Sequence, residues 1–320
     1  MRILITGITG FVGGHLTEHL LREPGHTIFG ISRHSVWPSN LSHLDGKAEL
    51  QATDLTDGAA CEQLIRTVRP DWVFHLAGYA NTGKSFREPD LCWRDNLTAT
   101  RSLYDAIART DVRPRIVFVS TGLVYGDSEV SDHAVEESAI LKPASPYAAS
   151  KAAADLLSYQ YTRSHGLDII RVRLFNQIGP RQSAEYAVAN FARQIANIEL
   201  GKQPAVLETG DLSSHRDLTD IRDIVTAFRL LMDHGKTGEV YNAGRGKTWQ
   251  IQDILNQLLR MASVTVEVRQ TIEPGRRADT TITRANPTKL RTTTGWQPVY
   301  PIEQTLKNVL DYWRTEAIKT

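Results

Sequence analysis

Apolar residues in the first half of the chain follow two alternating periods. Short, largely apolar and β-branched runs predict strands, and the longer stretches between them have apolar positions at helical spacing. The predicted strands are 2–6, 26–31, 48–51, 71–76, 115–120 and 168–174, and the predicted helices are 11–22, 57–68, 91–110 and 146–165. Strands separated by helices imply right-handed crossovers and a parallel sheet with helices on both faces. The pattern therefore predicts a doubly wound α/β domain over residues 1–175.

From Asn176 onward the pattern is less regular. Short apolar runs alternate with predicted helices, the runs at 205–207, 240–241 and 264–268 and the helices at 185–200, 220–234, 248–260 and 301–318. We expect a smaller C-terminal α/β substrate lobe over residues 176–320, which shares a cleft with the first domain and returns some elements to it. Open parallel sheets bind ligands beyond the carboxyl ends of their strands, so the cleft is the expected site.

Three glycines, Gly7, Gly10 and Gly13, lie between the first predicted strand and the first predicted helix. A backbone without side chains lets a pyrophosphate approach its amides, and a helix N-terminus attracts that anion. The glycines could also serve only a tight turn, and their spacing differs from the Gly-x-Gly-x-x-Gly of many dehydrogenases. The strand–turn–helix context favours a Rossmann-type dinucleotide site, with Phe11 and Val12 beside the glycines.

The ends of the next strands supply the remaining candidate cofactor contacts. An acidic residue after the second strand favours a free ribose 2′-hydroxyl, whereas arginine favours a 2′-phosphate. That position has no carboxylate but has Arg33, so NADP(H) is expected over NAD(H), which stays possible. Asp54 and Leu55 are placed to bracket the adenine, although Asp54 could be a turn residue. Leu76, Ala77 and Gly78 provide small residues where the cofactor would pass.

Tyr147 and Lys151 lie four residues apart in the predicted helix 146–165, so their side chains share one face. A free tyrosine has a pKa of about 10. A lysine cation one turn away is expected to lower that pKa toward neutrality. Thr121 ends the fifth predicted strand and is placed to hold a substrate oxygen beside Tyr147. A surface pair would explain Tyr-x-x-x-Lys alone, but its position behind a glycine turn favours catalysis.

Composition narrows the function classes. Lys plus Arg is 37 and Asp plus Glu is 36 among 320 residues, a balance that offers no general attraction to nucleic acid or an anionic membrane. Cys61 and Cys92 lack metal-ligand spacing, so no metal site is expected. No apolar run approaches the ~20 residues that span a bilayer. Since the first predicted strand begins at residue 2, no signal peptide is expected, and the predicted location is cytoplasmic.

Taken together, these motifs resemble the extended short-chain dehydrogenases/reductases that act on nucleotide sugars. The matching positions are Gly7, Gly10, Gly13, Asp54, Thr121, Tyr147, Lys151, Asn176, Arg216 and Asp217. The resemblance implies a nicotinamide cofactor, a Thr–Tyr–Lys triad and a nucleoside diphosphate-sugar in the C-terminal lobe. It also implies a set of substrate-binding residues, namely Lys84, Ser85, Thr121, Asn176, Arg181, Arg216 and Arg276. An ion pair with a neighbouring acid is the alternative role for Arg216.

Within that family the chain is most similar to reductases of GDP-4-keto-6-deoxy-mannose, which form GDP-rhamnose. The similar stretches are 75–78, 85–89, 175–182, 191–195 and 294–298. GDP-mannose 4,6-dehydratases share much of this, but they carry a glutamate two residues before the tyrosine of their Tyr-Gly. Here that position is Leu123, and an alkyl side chain cannot move the proton that dehydration requires. Similar reductases often keep an acid there too, so Leu123 departs from both groups.

The resulting hypothesis is NADPH-dependent reduction of the C4 keto group of a nucleotide-linked 4-keto-6-deoxy sugar. A 4-epimerase or a 4,6-dehydratase of the same family is the alternative, and a cofactor-sensing protein without chemistry is a third. The nucleotide base is left open. Leu103, Leu156, Leu157 and Tyr161 fall on apolar faces of two long predicted helices. Because this family often pairs such helices between subunits, a homodimer is expected, although these residues could equally be core.

Overall fold

The computed structural model describes residues 1–126, 134–271 and 284–319. Seven strands form one sheet in the order β10-β6-β5-β4-β1-β2-β3, and every pairing in it is parallel. The strands of the whole chain are β1 (Arg2–Thr6), β2 (Thr27–Ser32), β3 (Glu49–Ala52), β4 (Trp72–His75), β5 (Arg115–Thr121), β6 (Asp168–Leu174), β7 (Asn176–Ile178), β8 (Val206–Thr209), β9 (His215–Asp220), β10 (Val240–Ala243), β11 (Thr248–Gln250) and β12 (Glu267–Gln270). The predicted doubly wound α/β class is confirmed.

Helices cover both faces of this sheet. The α-helices of the described chain are α1 (Phe11–Leu20), α2 (Gly58–Val68), α3 (Thr82–Ser85), α4 (Pro89–Trp93), α5 (Ala99–Ala108), α6 (Pro146–His165), α7 (Ala187–Glu199), α8 (Ile221–His234), α9 (Ile251–Met261), α10 (Thr288–Thr294) and α11 (Ile302–Lys319). Helices α1 and α8 pack on one face, and α2, α5 and α6 pack on the other, each over its own apolar core. The predicted helix 91–110 is interrupted, since a π-helical turn at Arg94–Thr98 joins α4 to α5.

Strand order reverses between β1 and β4, which is the place where such sheets bind ligands. Buried His75, at the end of β4, organises the chain there. Its Nδ1 lies 2.8 Å from Thr6 Oγ1 and its Nε2 lies 2.9 Å from Thr100 Oγ1. Thr6 Oγ1 in turn accepts the backbone N–H groups of Leu76 and Ala77 at 3.2 and 3.1 Å. These bonds fix the segment that follows β4 against the end of β1.

The C-terminal residues form a lobe with its own core from α7, α9 and α11. A three-stranded sheet, β11-β9-β7, and a two-stranded sheet, β12-β8, belong to this part of the chain. Strand β10 instead pairs with β6 in the large sheet. The predicted helix 248–260 is wrong at its start, because Thr248–Gln250 pairs with β9 and α9 begins at Ile251. The division at residues 175 and 176 stays a prediction.

Within the described ranges, no helix has both the length and the apolar character that a membrane crossing requires.

Candidate active site

A cavity of about 350 Å³ lies at the carboxyl ends of β1, β2, β3 and β4. Segments far apart in the chain meet there because parallel strands end at the same edge of the sheet. Its lining includes each of the candidate cofactor residues before α6, namely Gly7, Gly10, Phe11, Val12, Gly13, Arg33, Asp54, Leu55, Leu76, Ala77 and Gly78. The structure thus brings these residues together, and cofactor binding by them stays a prediction.

The glycine turn of this cavity leaves no room for side chains. Gly7 has φ +73°, and a Cβ on it would lie 2.9 Å from Ala77 N. A Cβ on Gly13 would lie 2.3 Å from Gly7 O, so the helix could not pack this closely on the strand. Gly10 precedes α1 without a side-chain cap, and the first turn has no acidic residue. The amides at this helix end therefore suit the pyrophosphate of a dinucleotide.

Arg33 lies in the same part of the cavity lining as two carboxylates, Asp54 and Asp95. The Arg33 side chain is 77 % exposed, and its Nη1 lies 3.9 Å from the Asp95 carboxylate. Asp54 accepts hydrogen bonds from the Thr56 backbone N–H and hydroxyl, which lower the pKa of Asp54, with smaller contributions from Arg94 and Arg33. Asp54 is therefore a turn residue and a cavity residue at once. The guanidinium groups at this end suit a 2′-phosphate.

The candidate triad forms where α6 crosses the carboxyl end of β5. Ser145 caps α6, since its side chain accepts from Ala148 N, and Pro146 occupies the first helical position. This start places Tyr147 in the first turn, close enough to Thr121 for the Thr121 side chain to lower the Tyr147 pKa. One turn later, Lys151 Nζ donates to Val119 O at 2.6 Å and lies 5.0 Å from the centre of the Phe118 ring. The three predicted catalytic side chains are thus adjacent.

The electrostatics of the triad differ from the prediction. Burial raises the pKa of Tyr147, and the hydrogen bond from Thr121 opposes this only in part. Burial lowers the pKa of Lys151 to about 8, and the Asp155 carboxylate opposes that shift. Lys151 makes no contribution to this shift of the Tyr147 pKa in the protein alone, where its ammonium group donates to the Val119 carbonyl. The protein alone therefore favours a protonated tyrosine, a form that can donate.

A second cavity, of about 250 Å³, lies in the C-terminal lobe. Two predicted substrate-binding residues, Asn176 and Arg216, line it, and they come from the neighbouring strands β7 and β9. Arg216 Nη1 donates to His215 O at 2.8 Å. Three residues line both cavities, namely Gln177, Gln182 and Tyr186. The two cavities therefore adjoin one another.

Four other predicted substrate-binding residues line neither cavity, namely Lys84, Ser85, Arg181 and Thr121. Lys84 forms an exposed ion pair with Glu185. Ser85 is buried and donates to Thr82 O at 2.7 Å. Arg181 has φ +72°, and its guanidinium donates twice to Glu18, at 2.8 and 2.7 Å. This backbone conformation directs Arg181 to α1 and away from the cleft. Arg276 lies outside the described residues.

Several cavity residues were missed by the sequence analysis. Thr9 and Ser32 adjoin predicted residues, so their position beside a strand end was an available signal. Asp95 comes from the π-helical turn, and Gln182 and Tyr186 come from the segment that leads into α7. Gln182 ends the similar stretch 175–182 but was given no role, and no motif marks Asp95 or Tyr186, because only the folding of distant segments brings them to the cleft.

Leu123, two residues after Thr121, is hydrogen-bonded to it. Its backbone N–H donates to Thr121 Oγ1 at 3.2 Å, in a turn that continues to Tyr125. Among the described residues, the groups that shift the pKa of Tyr147 are Thr121, Tyr186 and Cys92, with no carboxylate among them. Nor does the described part of the chain hold a cluster of three or more metal-ligating side chains. The chemistry of the site therefore rests on hydroxyl groups and one ammonium group.

Comparisons with known proteins agree with this geometry. The GDP-mannose 4,6-dehydratase family model matches residues 4–309. A GDP-6-deoxy-D-mannose reductase from Pseudomonas aeruginosa is 33% identical over 316 residues, covering 99% of this chain and 98% of that protein. The structure of RMD from Pseudomonas aeruginosa complexed with NADPH superimposes with a TM-score of 0.86 at 31% identity, covering 99% of this chain and 100% of that one. The structure of a UDP-glucose 4-epimerase from Thermus thermophilus complexed with NAD superimposes with a TM-score of 0.87 at 28% identity, covering 98% of this chain and 99% of that one. The chain therefore belongs to the GDP-mannose 4,6-dehydratase family, within the extended short-chain dehydrogenases/reductases.

Proposed function

We propose that this protein is an NADPH-dependent reductase of the C4 keto group of a nucleoside-diphosphate 4-keto-6-deoxyhexose. The proposed reaction is of the type that converts GDP-4-keto-6-deoxy-mannose to GDP-rhamnose. The observation that carries the proposal is that the Thr121 and Tyr147 side chains lie close enough for Thr121 to lower the Tyr147 pKa, with Lys151 one helical turn away. Such a site can hold a carbonyl oxygen and protonate it.

In this mechanism Thr121 and Tyr147 both face the substrate O4 atom. The Thr121 hydroxyl already accepts the Leu123 N–H, so its own proton is left to donate. NADPH, when bound, supplies the hydride that reduces C4. Tyr147 donates its phenolic proton to O4, and the Lys151 ammonium, one helical turn away, turns from Val119 O to stabilise the phenolate that forms. Solvent then returns the proton to Tyr147.

The side chain of Leu123 supports reduction over dehydration. Loss of water from C5 and C6 needs a base that removes the C5 proton, and an alkyl group cannot serve. Reduction at C4 requires only one hydride and one proton, which the cofactor and Tyr147 supply. A 4-epimerase would use the same triad, but it would regenerate its cofactor in every cycle.

Support for NADPH comes from the adenosine end of the larger cavity. Ser32 and Arg33 line it at the end of β2, where an NAD-specific site would place an acid. The structure of the Pseudomonas aeruginosa RMD, which is 31% identical in sequence to this chain, contains NADPH, whereas that of the Thermus thermophilus epimerase contains NAD. We therefore propose NADP(H) as the preferred cofactor, with NAD(H) as a weaker substitute.

Turnover of NADPH tests the proposal directly. Purified enzyme is mixed with NADPH and GDP-4-keto-6-deoxy-mannose, and the cofactor absorbance is followed. A stoichiometric loss of NADPH with formation of a deoxyhexose is expected. Interconversion of C4 epimers without net NADPH loss would instead identify an epimerase. No reaction with this or the corresponding UDP- and dTDP-linked keto sugars would refute the reductase assignment.

We further propose that two copies associate through α4 and α6. The side chains of Trp93, Leu156 and Tyr159 on these helices are 39%, 57% and 46% exposed, respectively. Leu103 and Tyr161, expected on the same surface, are core residues, since Tyr161 donates to Asp105 and Leu103 is fully buried. Light scattering of wild type and Leu156→Glu tests the proposal. A dimer that the charge converts to monomer is expected, and a monomeric wild type contradicts it.

A further inference from the structure

The start of α7 is tied across the cleft to the segment 80–84. Asn81 Nδ2 donates to the Glu185 carboxylate at 2.8 Å, and Lys84 forms an ion pair with the same group. The next residue, Tyr186, donates its hydroxyl to Ala80 O at 3.3 Å. We call these contacts the Glu185 clasp. They join an element of the C-terminal lobe to the loop that follows β4.

The clasp is pre-organised on both sides. Asn81 Oδ1 accepts Lys84 N at 2.8 Å, which leaves the Asn81 amide N–H groups directed at Glu185. On the other side, Tyr186 N donates to Ser183 O at 3.1 Å, and Tyr186 O accepts Asn190 N at 2.9 Å as α7 begins. The backbone of Tyr186 is therefore held by the turn that starts α7. Its ring is held at the far end by the hydrogen bond from its hydroxyl to Ala80 O.

That ring stands at the boundary between the two cavities. Tyr186 lines both of them, yet its side chain is 41% exposed, which is unusual for a large aromatic group in a cleft. Tyr186 is also close enough to Tyr147 for its phenol to contribute to the raised Tyr147 pKa. A ligand that occupies both cavities would therefore contact Tyr186.

We propose that Tyr186 is the sugar-binding residue of the site, and that the Glu185 clasp holds its ring against the hexose. The inference rests on the proposed function, in which Asn176 and Arg216 bind the diphosphate and Thr121 and Tyr147 bind O4 of the sugar. The pyranose then lies between these two pairs, where Tyr186 is. An aromatic ring offers a flat apolar surface to the C–H face of a pyranose, and its fixed rotamer costs little conformational entropy on binding.

Comparing a nucleotide with its nucleotide sugar isolates the contribution of the hexose. Calorimetry with NADP⁺-saturated enzyme measures the Kd of GDP and of GDP-mannose for wild type, Tyr186→Phe and Tyr186→Ala. In Tyr186→Ala we expect the Kd of GDP-mannose to rise about tenfold and that of GDP to stay within about twofold. Tyr186→Phe keeps the ring, so both constants stay within about threefold.

The clasp is tested with Glu185→Gln, matched by Glu62→Gln, which removes one partner of the exposed Arg66 ion pair on α2. We expect Glu185→Gln to raise the Kd of GDP-mannose about threefold and to leave the Kd of GDP unchanged. Glu62→Gln should change neither constant. In turnover, Tyr186→Ala raises the KM of the keto sugar more than it lowers kcat. Melting temperatures within a few degrees of wild type establish that each variant is folded.

An equal loss of GDP and GDP-mannose affinity in Tyr186→Ala would overturn the inference, because a structural role alone predicts it. Unchanged affinity for both ligands would overturn it as well. Wild type that binds GDP-mannose through Tyr186 but never oxidises NADPH would refute the reductase and keep the sugar site. If wild type reduces the keto sugar and Tyr186→Ala does so equally well, the reductase assignment stands and the sugar-binding role of Tyr186 is refuted.

Discussion

The two cavities are built from different kinds of structure. The larger one is lined mainly by residues that follow β1, β2, β3 and β4, each within a few positions of a strand end. The smaller one draws on β7 and β9, the start of α7 and the start of α9, which are separated in the chain by other strands and helices. A parallel sheet delivers successive strand ends to one edge, so sequence order alone predicts the first cavity. The second exists only after separate segments have packed.

The largest effect is expected in the parallel-sheet part, which carries the chemistry. Tyr147→Phe removes the proton donor, and kcat for the keto sugar should fall about 10³-fold, within the usual range for general acid catalysis. The affinity for NADPH and the melting temperature should not change. Tyr159→Phe, on the same helix with an exposed ring, is the control. Wild-type turnover in Tyr147→Phe would show that another group donates the proton.

Removal of one arginine from each cavity tests whether the two regions bind separate ligands. Arg33→Met should raise the KM of NADPH about tenfold and leave that of NADH unchanged, because only NADPH carries the 2′-phosphate. Arg216→Met should raise the KM of the sugar nucleotide about 10- to 100-fold and leave NADPH binding unchanged. Steady-state kinetics with each substrate varied in turn measure both. A raised KM of the sugar nucleotide in Arg33→Met, or of NADPH in Arg216→Met, would mean that the cavities do not bind their ligands independently.

The pH dependence of kcat/KM tests the state of Lys151. Burial lowers the pKa of Lys151 to about 8, so its ammonium form is present below that pH and is lost above it. Because this cation stabilises the Tyr147 phenolate, kcat/KM should fall about tenfold per pH unit above about 8. A profile measured between pH 6 and 10 is sufficient. Activity that stays constant to pH 10 would show that the ammonium group is not required.

The smallest effect concerns the backbone of the glycine turn. In Gly13→Ala the new Cβ would meet Gly7 O, and we expect the free energy of unfolding to fall by about 1–3 kcal/mol. Gly58→Ala is the matched control, because Gly58 begins α2 and a Cβ there has no neighbour within 4 Å. That variant should stay within about 0.5 kcal/mol of wild type. Denaturant unfolding measures both, and equal stability would contradict the packing argument.

Several residues that the sequence analysis did not predict lie around the smaller cavity and in the C-terminal lobe. Polar stretches such as His215–Asp220 form β9 although nothing in their composition indicates a strand, and they are stabilised by pairing with β7 and β11. Arg181 was expected at the substrate, but its left-handed backbone directs it to Glu18. Tyr186 carries no motif and yet borders both cavities. Local patterns do not predict these positions, because long-range packing determines them.

The sequence by itself determined the alternation of strands and helices, the glycine turn and the Tyr147–Lys151 face. Each of these depends on residues within one turn or one strand of each other, where side-chain size and spacing act directly. Only the tertiary structure decided that Lys151 faces Val119 O, that Asn176 and Arg216 share a cavity, and that α7 is tied to the loop after β4. Those contacts join residues that are distant in sequence, and their geometry follows from how the two lobes pack.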